Sequence, residues 1–152
     1  MKALSVKEVF TAVKGKLLNS DENKMIFNVS TDTRNIAEGD LFIPLKGDNF
    51  DGHKFIESAF EKGAVCVLSQ ILLDTSKPYI LVDDTKKALA DLAEYYRGLF
   101  DIPVVAITGS AGKTTTKDIV YSVLKQKYNT IKTEGNFNNE IGVPLTIFRI
   151  DE

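Results

Sequence analysis

Residues 104–116 read Val-Val-Ala-Ile-Thr-Gly-Ser-Ala-Gly-Lys-Thr-Thr-Thr and decide the fold. The first four are apolar and partly β-branched, which predicts a short buried strand, and the residues after Gly112 have helical periodicity. The intervening glycines permit backbone conformations that other residues avoid, so successive N–H groups can converge on an anion at the helix N-terminus. The sequence therefore predicts a strand–loop–helix that binds phosphate.

The spacing of this loop departs from the Walker A pattern. Gly-x-x-x-x-Gly-Lys-Ser/Thr requires a glycine at position 107, where the chain has Ile107, and what stands here is a shorter loop over residues 108–115. An ordinary tight turn is the alternative interpretation, but the apolar strand before the loop and the amphipathic helix after it favour phosphate binding. In that interpretation Lys113 reaches the terminal phosphates and Thr114 offers its hydroxyl to Mg²⁺.

Composition restricts the classes of protein and of partner. The chain has 152 residues, 43% hydrophobic and 26% charged, which is typical of one globular domain or two small ones. A net charge of -2 without a dense lysine or arginine block argues against nucleic acid as a partner. The single cysteine, Cys66, lies in an apolar run, which predicts a buried thiol and fits a reducing cytoplasm. We expect no membrane insertion, because no apolar run is long enough to span a bilayer.

Strands and helices alternate along the first hundred residues. A capping box of Ser5 and Glu8 predicts a helix that ends at Gly15, and Asp84 is a natural N-cap for a longer helix. We expect a further helix with Phe55, Ile56, Ala59 and Phe60 facing inward. The predicted strands cover residues 25–30, 41–45, 64–68 and 79–82.

Asp101-Ile102-Pro103 interrupts the pattern, which predicts a domain boundary near Phe100, between domains 1–100 and 101–152. The fold class expected is α/β, with a small N-terminal α/β domain followed by the first βαβ of a P-loop parallel-sheet domain that is truncated. In that second part we expect a strand over residues 130–133 and a helix that buries Ile119, Val120, Val123 and Leu124.

Polar loops follow several predicted strands, at the sheet edge where parallel sheets bind ligands. They cover residues 31–34 and 47–53, with a third loop in residues 135–145, which read Gly-Asn-Phe-Asn-Asn-Glu-Ile-Gly-Val-Pro-Leu. Together with the phosphate loop, these loops resemble the Mur ligase family, the ATP-dependent enzymes that add amino acids to the UDP-muramoyl precursor of bacterial peptidoglycan. The third loop is most similar to the member that joins D-alanyl-D-alanine to UDP-N-acetylmuramoyl-tripeptide.

The resemblance implies two sets of binding residues. ATP phosphates would be bound by the phosphate loop, with Mg²⁺ on Thr114, and Lys113 and Thr114 would act in catalysis; the loop residues are Gly109, Ser110, Ala111, Gly112, Lys113, Thr114 and Thr115. The UDP-muramoyl substrate would contact Thr33, Arg34, Asp48, Asn49 and Phe50. The asparagines of the third loop, Asn136, Asn138 and Asn139, would meet the diphosphate of this substrate or the γ-phosphate region of ATP.

Several of these assignments have structural alternatives. Phe50 could equally be a core residue, Arg34 an ion-pair partner of Asp32 or Asp40, and the asparagines turn formers. For His53, the only histidine, we expect a capping or structural role rather than catalysis.

The family reaction is carboxylate activation, in which ATP phosphorylates the tripeptide carboxylate and the amine of D-alanyl-D-alanine attacks the acyl phosphate. The family also needs a magnesium-binding glutamate, a carbamylated lysine and a C-terminal domain, none of which is in this sequence. We therefore expect an inactive fragment of a longer ligase, with self-association or disorder near residues 134–152.

Three other functions stay open at this point. The first is a neighbouring ligase that adds a diamino acid or lysine, and the second is a non-catalytic module that binds nucleotide or UDP-sugar. The third is an ordinary P-loop kinase or GTPase, which the missing glycine at position 107 disfavours.

Overall fold

The computed structural model describes residues 1–19, 21–135 and 137–151. The first hundred residues contain seven strands and three helices, and two more helices follow among the described residues. The strands are β1 (Leu4–Ser5), β2 (Lys16–Leu18), β3 (Met25–Ile26), β4 (Asn28–Ser30), β5 (Asp40–Phe42), β6 (Cys66–Ser69) and β7 (Tyr79–Leu81). The helices are α1 (Val6–Ala12), α2 (Ile56–Glu61), α3 (Thr85–Gly98), α4 (Lys113–Leu124) and α5 (Gly142–Ile147), with 3₁₀ turns at Thr33–Asn35 and Gly52–Phe55.

The main sheet has five strands in the order β2-β7-β6-β5-β4. The four strands from β4 to β7 are parallel to their neighbours, and β2 joins the edge antiparallel to β7. This arrangement confirms the predicted α/β class with a mostly parallel sheet. The predicted strand over residues 25–30 is in fact two strands, because β3 pairs with β1 in a separate two-stranded sheet.

Both faces of the main sheet are buried, because successive side chains of a strand point to opposite faces. Leu41, Cys66 and Leu68 face a large core formed with α1 and α3, whereas Phe42 and Val67 face a smaller core formed with α2. The predicted burial of Cys66 is confirmed, and burial raises the pKa of its thiol to about 12. This thiol is therefore a packing group rather than a nucleophile.

Local capping signals fixed the helix starts where they were predicted. Ser5 and Glu8 form the reciprocal capping box of α1, and the Asp84 carboxylate accepts from the N–H groups of Lys86 and Lys87 at the start of α3. The inward position expected of Phe55 is wrong: this residue closes a 3₁₀ turn before α2, and its side chain is exposed.

The region around α4 differs from the prediction in two respects. Residues 104–107 and 130–133 form no strand, because no segment among the described residues pairs with them. The helix itself forms, but none of its described residues is buried, and Ile119 and Val123 are 59% and 64% exposed. The periodic pattern of residues thus predicted that α4 forms, but it did not predict that the apolar side chains of α4 stay exposed.

Residues 141–150 pack against elements that lie before residue 100. Helix α5 packs against α3, and Phe148 and Ile150 are buried in the large core. The Tyr96 hydroxyl donates to the Ile150 carbonyl at 2.6 Å, and the Phe148 ring lies 5.6 Å from the Tyr96 ring. The part of the chain that follows the predicted boundary near Phe100 therefore returns to the core that precedes it.

Candidate functional site

The phosphate loop has the backbone that its sequence predicts. Gly109 and Gly112 have φ angles of 152° and 77°, values that favour glycine, and α4 begins at Lys113 directly after the second of them. No side chain caps Gly112 at this helix start, so the first-turn N–H groups point at the place where an anion would bind. The Lys113 ammonium folds back and donates to the Gly109 carbonyl.

The other phosphate-loop candidates lie together around this helix start. Ser110, Ala111, Thr114 and Thr115 are all exposed. A threonine hydroxyl in the first turn fits Mg²⁺, which takes oxygen ligands and is commonly held by one protein oxygen together with substrate phosphates. The described residues contain no cluster of histidine, cysteine and carboxylate side chains that could form an all-protein metal site.

The substrate-loop candidates are at the carboxyl edge of the main sheet. The loop over residues 31–36 follows β4, and the loop over residues 43–51 follows its parallel neighbour β5. Because the carboxyl ends of parallel strands meet at one edge, the topology brings these two loops to the same edge.

The loop after β5 forms a small open cavity of about 270 Å³. The Gly47 N–H donates to the Phe50 carbonyl at 2.8 Å, which turns the chain back on itself and leaves Asp48 and Asn49 exposed. Phe50 is 56% exposed, so it is not a core residue; its ring stacks on Phe55 with centroids 5.8 Å apart. The cavity lining therefore combines polar and charged groups with the exposed ring of Phe50.

His53 fixes this loop to the next strand. Its Nδ1 lies 2.7 Å from the Asp51 carboxylate, and its Nε2 accepts from the Gln70 N–H at 3.1 Å, directly after β6. The Gln70 side chain continues to the Asp83 carbonyl and the Thr85 hydroxyl, beyond β7. His53 thus has the structural role expected of it. Sequence reasoning missed Gln70, which carries no motif.

In the loop after β4, Arg34 binds within its own turn. Its guanidinium donates to both carboxylate oxygens of Asp32 at 2.6–3.0 Å, and this side-chain hydrogen bond lowers the pKa of Asp32 to about 2. Asp32 is therefore the partner among the two alternatives, and Asp40 is instead bonded to the Ala37 N–H. The Thr33 carbonyl accepts from the Lys62 ammonium at 2.8 Å.

The asparagine loop, residues 135–141, lies between α4 and α5. The predicted site residue Asn136 falls outside the described residues. Asn138 is exposed, whereas the Asn139 side-chain oxygen accepts from the N–H groups of Ile141 and Gly142, just before α5. The Asn139 side-chain oxygen thus acts as a turn former, which is one of the two roles considered for the asparagines.

Two lysines that the sequence did not single out connect α4 to the segment that leads into this loop. Lys117 of α4 donates to the carbonyls of Thr133 and Gly135, and Lys132 donates to Asp118 of α4. No motif signals them, because their partners are backbone carbonyls or distant in sequence.

A surface depression of about 470 Å³, larger than the cavity after β5, has none of the predicted site residues in its lining. Its lining precedes β5, β6 and β7 and so occupies the amino edge of the sheet; it includes Glu38, Gly63, Ala64 and Pro78. Size alone therefore does not identify the site in this molecule. No helix in the described part of the chain has both the length and the apolar character needed to span a bilayer.

Sequence comparison defines the class of protein that carries this loop and this sheet edge. Residues 25–97 match the profile of the Mur ligase family, catalytic domain, and residues 107–152 match that of the Mur ligase middle domain. The chain belongs to the Mur ligase family.

Among the members of this family, the chain is similar to ligases of one specificity. The chain is 47% identical to a UDP-N-acetylmuramoyl-tripeptide--D-alanyl-D-alanine ligase of Bacillus subtilis and 39% identical to that of Escherichia coli. These alignments cover 97% and 99% of the chain but 33% of either relative, so the chain spans about a third of their length.

Solved structures agree with this similarity. The crystal structure of MurF from Acinetobacter baumannii superposes with a TM-score of 0.93 at 31% identity, over 99% of this chain and 34% of that one. MurF ligase from Thermotoga maritima, in complex with ADP, superposes with a TM-score of 0.74 at 39% identity, over 82% of this chain and 29% of that one.

Proposed function

We propose that the chain forms the UDP-binding domain and the beginning of the ATP-binding domain of a peptide-bond-forming ligase. The domains are residues 1–100 and 101–152. The ligase joins D-alanyl-D-alanine to UDP-N-acetylmuramoyl-tripeptide in cytoplasmic peptidoglycan synthesis, with ATP and Mg²⁺, through an acyl phosphate. The observation that carries the proposal is a phosphate loop at the start of α4 in the same chain as a polar, aromatic-lined cavity at the sheet edge.

The sheet-edge loops suit the UDP end of the substrate. The exposed ring of Phe50 gives uracil a surface on which to stack, and base–aromatic stacking contributes about 1–3 kcal/mol. Asp48 and Asn49 offer polar groups beside it, and His53 holds the loop in place through Asp51 and Gln70. Thr33 and Arg34, in the neighbouring loop, contribute contacts at the same sheet edge.

The phosphate loop suits the ATP half of the reaction. Phosphoryl transfer depends on positioning and on neutralising charge more than on covalent help from the protein. Lys113 exchanges the Gly109 carbonyl for the terminal phosphates, and the first-turn N–H groups of α4 bind the other phosphate oxygens. Bound Mg²⁺ supplies further charge neutralisation, and Thr114 holds it together with the phosphates. Asn138 and Asn139 approach the γ-phosphate or the substrate diphosphate.

Calorimetric titration with UDP-N-acetylmuramoyl-tripeptide and, separately, with Mg-ATP tests the two halves. We expect Phe50→Ala to weaken binding of the UDP compound by about tenfold, as the loss of one stacking contact predicts, and to leave Mg-ATP unaffected. Lys113→Met should instead weaken the binding of Mg-ATP and leave the binding of the UDP compound unaffected. Tight Mg-nucleotide binding without affinity for the UDP compound would instead indicate a P-loop kinase or GTPase.

The 152-residue chain alone should not turn over ATP when both substrates are present. The reason is that the chain spans only about a third of the length of the ligases to which it is similar. Release of ADP coupled to product formation by this chain would contradict the proposed inactivity, while leaving the proposed binding sites testable by titration.

A further inference from the structure

Lys117 is a largely buried lysine in the nucleotide half of the molecule. Its side chain is 17% exposed, and its ammonium donates to the carbonyls of Thr133 at 2.8 Å and Gly135 at 3.3 Å. The nearest carboxylate, that of Asp118, is 4.0 Å away. This ammonium is therefore committed to two backbone carbonyls at the entrance of the asparagine loop.

The position of Lys117 on α4 relates this contact to the phosphate loop. It lies four residues after Lys113, hence on the same face of the helix and one turn along it. Helical side chains tilt toward the N-terminus, so both lysines lean toward the phosphate loop. Residues 133–135 consequently pass along the face of α4 that carries the phosphate-binding lysine.

The exit of the asparagine loop is fixed as well. The Asn139 side chain accepts from Gly142 at 2.7 Å, and a Cβ on Gly142 would lie 2.5 Å from the Phe137 Cα, which shows how closely the loop packs on this helix start. Helix α5 then leads to Phe148 and Ile150 in the large core. Lys117 therefore attaches the backbone of the loop at the phosphate-loop end, next to the side-chain contact of Lys132, and α5 attaches the loop at its other end.

From this geometry we infer that Lys117 is a positioning residue for nucleotide binding. It holds the backbone of residues 133–135 on α4, and so keeps Asn138 and the amide of Asn139 beside the γ-phosphate of ATP. This inference rests on the proposed function, in which the phosphate loop binds ATP. Lys117 acts through the loop and does not itself contact the nucleotide.

Lys132 provides a matched control. Lys132 lies in the segment before the asparagine loop, and its ammonium is 2.5 Å from the Asp118 carboxylate on α4. The same ammonium lies 4.6 Å from the centroid of the Tyr121 ring. Its contacts are made by side chains and leave the carbonyls at the loop entrance untouched. Removing either lysine deletes one positive charge from the same interface, but only Lys117 binds the loop backbone.

The test compares Lys117→Met, Lys117→Arg and Lys132→Met in the 152-residue chain, first by hydrogen exchange without ligand. The reporters are the amides of Phe137, Ile141, Gly142 and Val143, which are hydrogen-bonded in or next to the loop. In Lys117→Met we expect Phe137 exchange to rise about tenfold, since hydrogen bonds to a charged group stabilise the local structure by that factor or more. Lys132→Met should leave Phe137 within about twofold of the wild type.

Titrations with Mg-ATP, Mg-ADP and the UDP compound give the second readout. We expect Lys117→Met to raise the Kd for Mg-ATP about tenfold and that for Mg-ADP much less, because the asparagine loop approaches the γ-phosphate. This inference places the two asparagines beside the γ-phosphate rather than the substrate diphosphate, so the Kd for the UDP compound should not change. Lys117→Arg should restore most of the ATP affinity, because a guanidinium can donate to both carbonyls.

Three outcomes would overturn the inference: unchanged Phe137 exchange in Lys117→Met, equal loss of ATP and ADP affinity, or the same effects in Lys132→Met. A wild-type chain that binds no Mg-ATP would overturn the proposed function, and the ATP-positioning role with it. In that case the exchange data still decide whether Lys117 holds the loop, so the two failures are distinguishable.

Discussion

Helices α3 and α4 have similar sequence patterns and opposite environments. Both are amphipathic, with 14 and 12 residues, and both begin after a residue suited to a helix start, Asp84 or Gly112. Helix α3 buries six residues, whereas α4 buries none of its described residues. The same periodic signal therefore encodes a core helix in one place and a solvent-exposed helix in the other.

The difference arises from what lies beside each helix. Helix α3 packs together with α1 in the large core on one face of the main sheet, and α5 returns to it, so its apolar face is covered. Helix α4 is connected to the chain through polar contacts, chiefly those of Lys117 and Lys132, and the strands expected on either side of it do not form. The phosphate loop is thus built locally, at the start of a helix that contributes little to the core.

The largest expected effect is on the free energy of unfolding, when an apolar side chain of α3 and one of α4 are each shortened to alanine. Leu92→Ala in α3 removes a side chain with no exposed surface and should lower the free energy of unfolding by about 2–5 kcal/mol. Val123→Ala in α4 removes a side chain that is 64% exposed and should change it by no more than about 0.5 kcal/mol. Urea unfolding followed by circular dichroism measures both.

The same pair of variants tests for self-association. If Val123→Ala proved as destabilising as Leu92→Ala, the apolar face of α4 would be covered in solution. A dependence of that loss on protein concentration would identify a second copy of the chain as the cover. Light scattering on the wild type is the matching control.

A smaller effect on stability is expected at Gly142, the first residue of α5, which connects the asparagine loop to the large core. In Gly142→Ala the new Cβ would lie 2.5 Å from the Phe137 Cα, and such overpacking against backbone costs about 1–3 kcal/mol. The control is Gly98→Ala at the end of α3, where the added Cβ meets nothing within 4 Å and should stabilise by about 0.5–1 kcal/mol. Thermal unfolding should therefore shift in opposite directions; equal shifts would mean that α5 does not hold this position.

The smallest effect concerns the exposed pair of Asp32 and Arg34 at the sheet edge. The pKa of Asp32 is lowered to about 2 in the folded protein, below its ordinary value near 4. The stability that this pair contributes is therefore present above about pH 4 and is lost as the pH falls through about 2. Carboxyl ¹³C NMR should give a midpoint near 2 in the wild type and a higher one in Arg34→Gln. The same midpoint in both proteins would show that the guanidinium does not set this pKa.

The helix starts and the phosphate loop could be predicted because their causes lie within a few residues. Ser5 with Glu8 and Asp84 cap helices through bonds to residues two or three positions away. Gly109 and Gly112 have positive φ angles, which a glycine can adopt whatever lies elsewhere in the sequence. Local signals of this kind do not depend on the rest of the fold.

The Gln70 contact to His53 and the Lys117 contact to residues 133–135 could not be predicted in this way. Each joins groups 16 or more positions apart and involves a backbone group that every residue has. Sequence patterns identify which side chains are available, but not which backbone they will meet.

The sequence by itself determined the α/β class, the capped helices, the buried Cys66 and the glycine-containing backbone turn before α4, because short-range sterics and apolar periodicity specify them. Only the tertiary structure decided that α3 is buried and α4 exposed, and that Phe148 and Ile150 return to Tyr96, 54 residues before Ile150. Burial depends on which segments meet, and such meetings are set by the sum of distant contacts rather than by any local pattern.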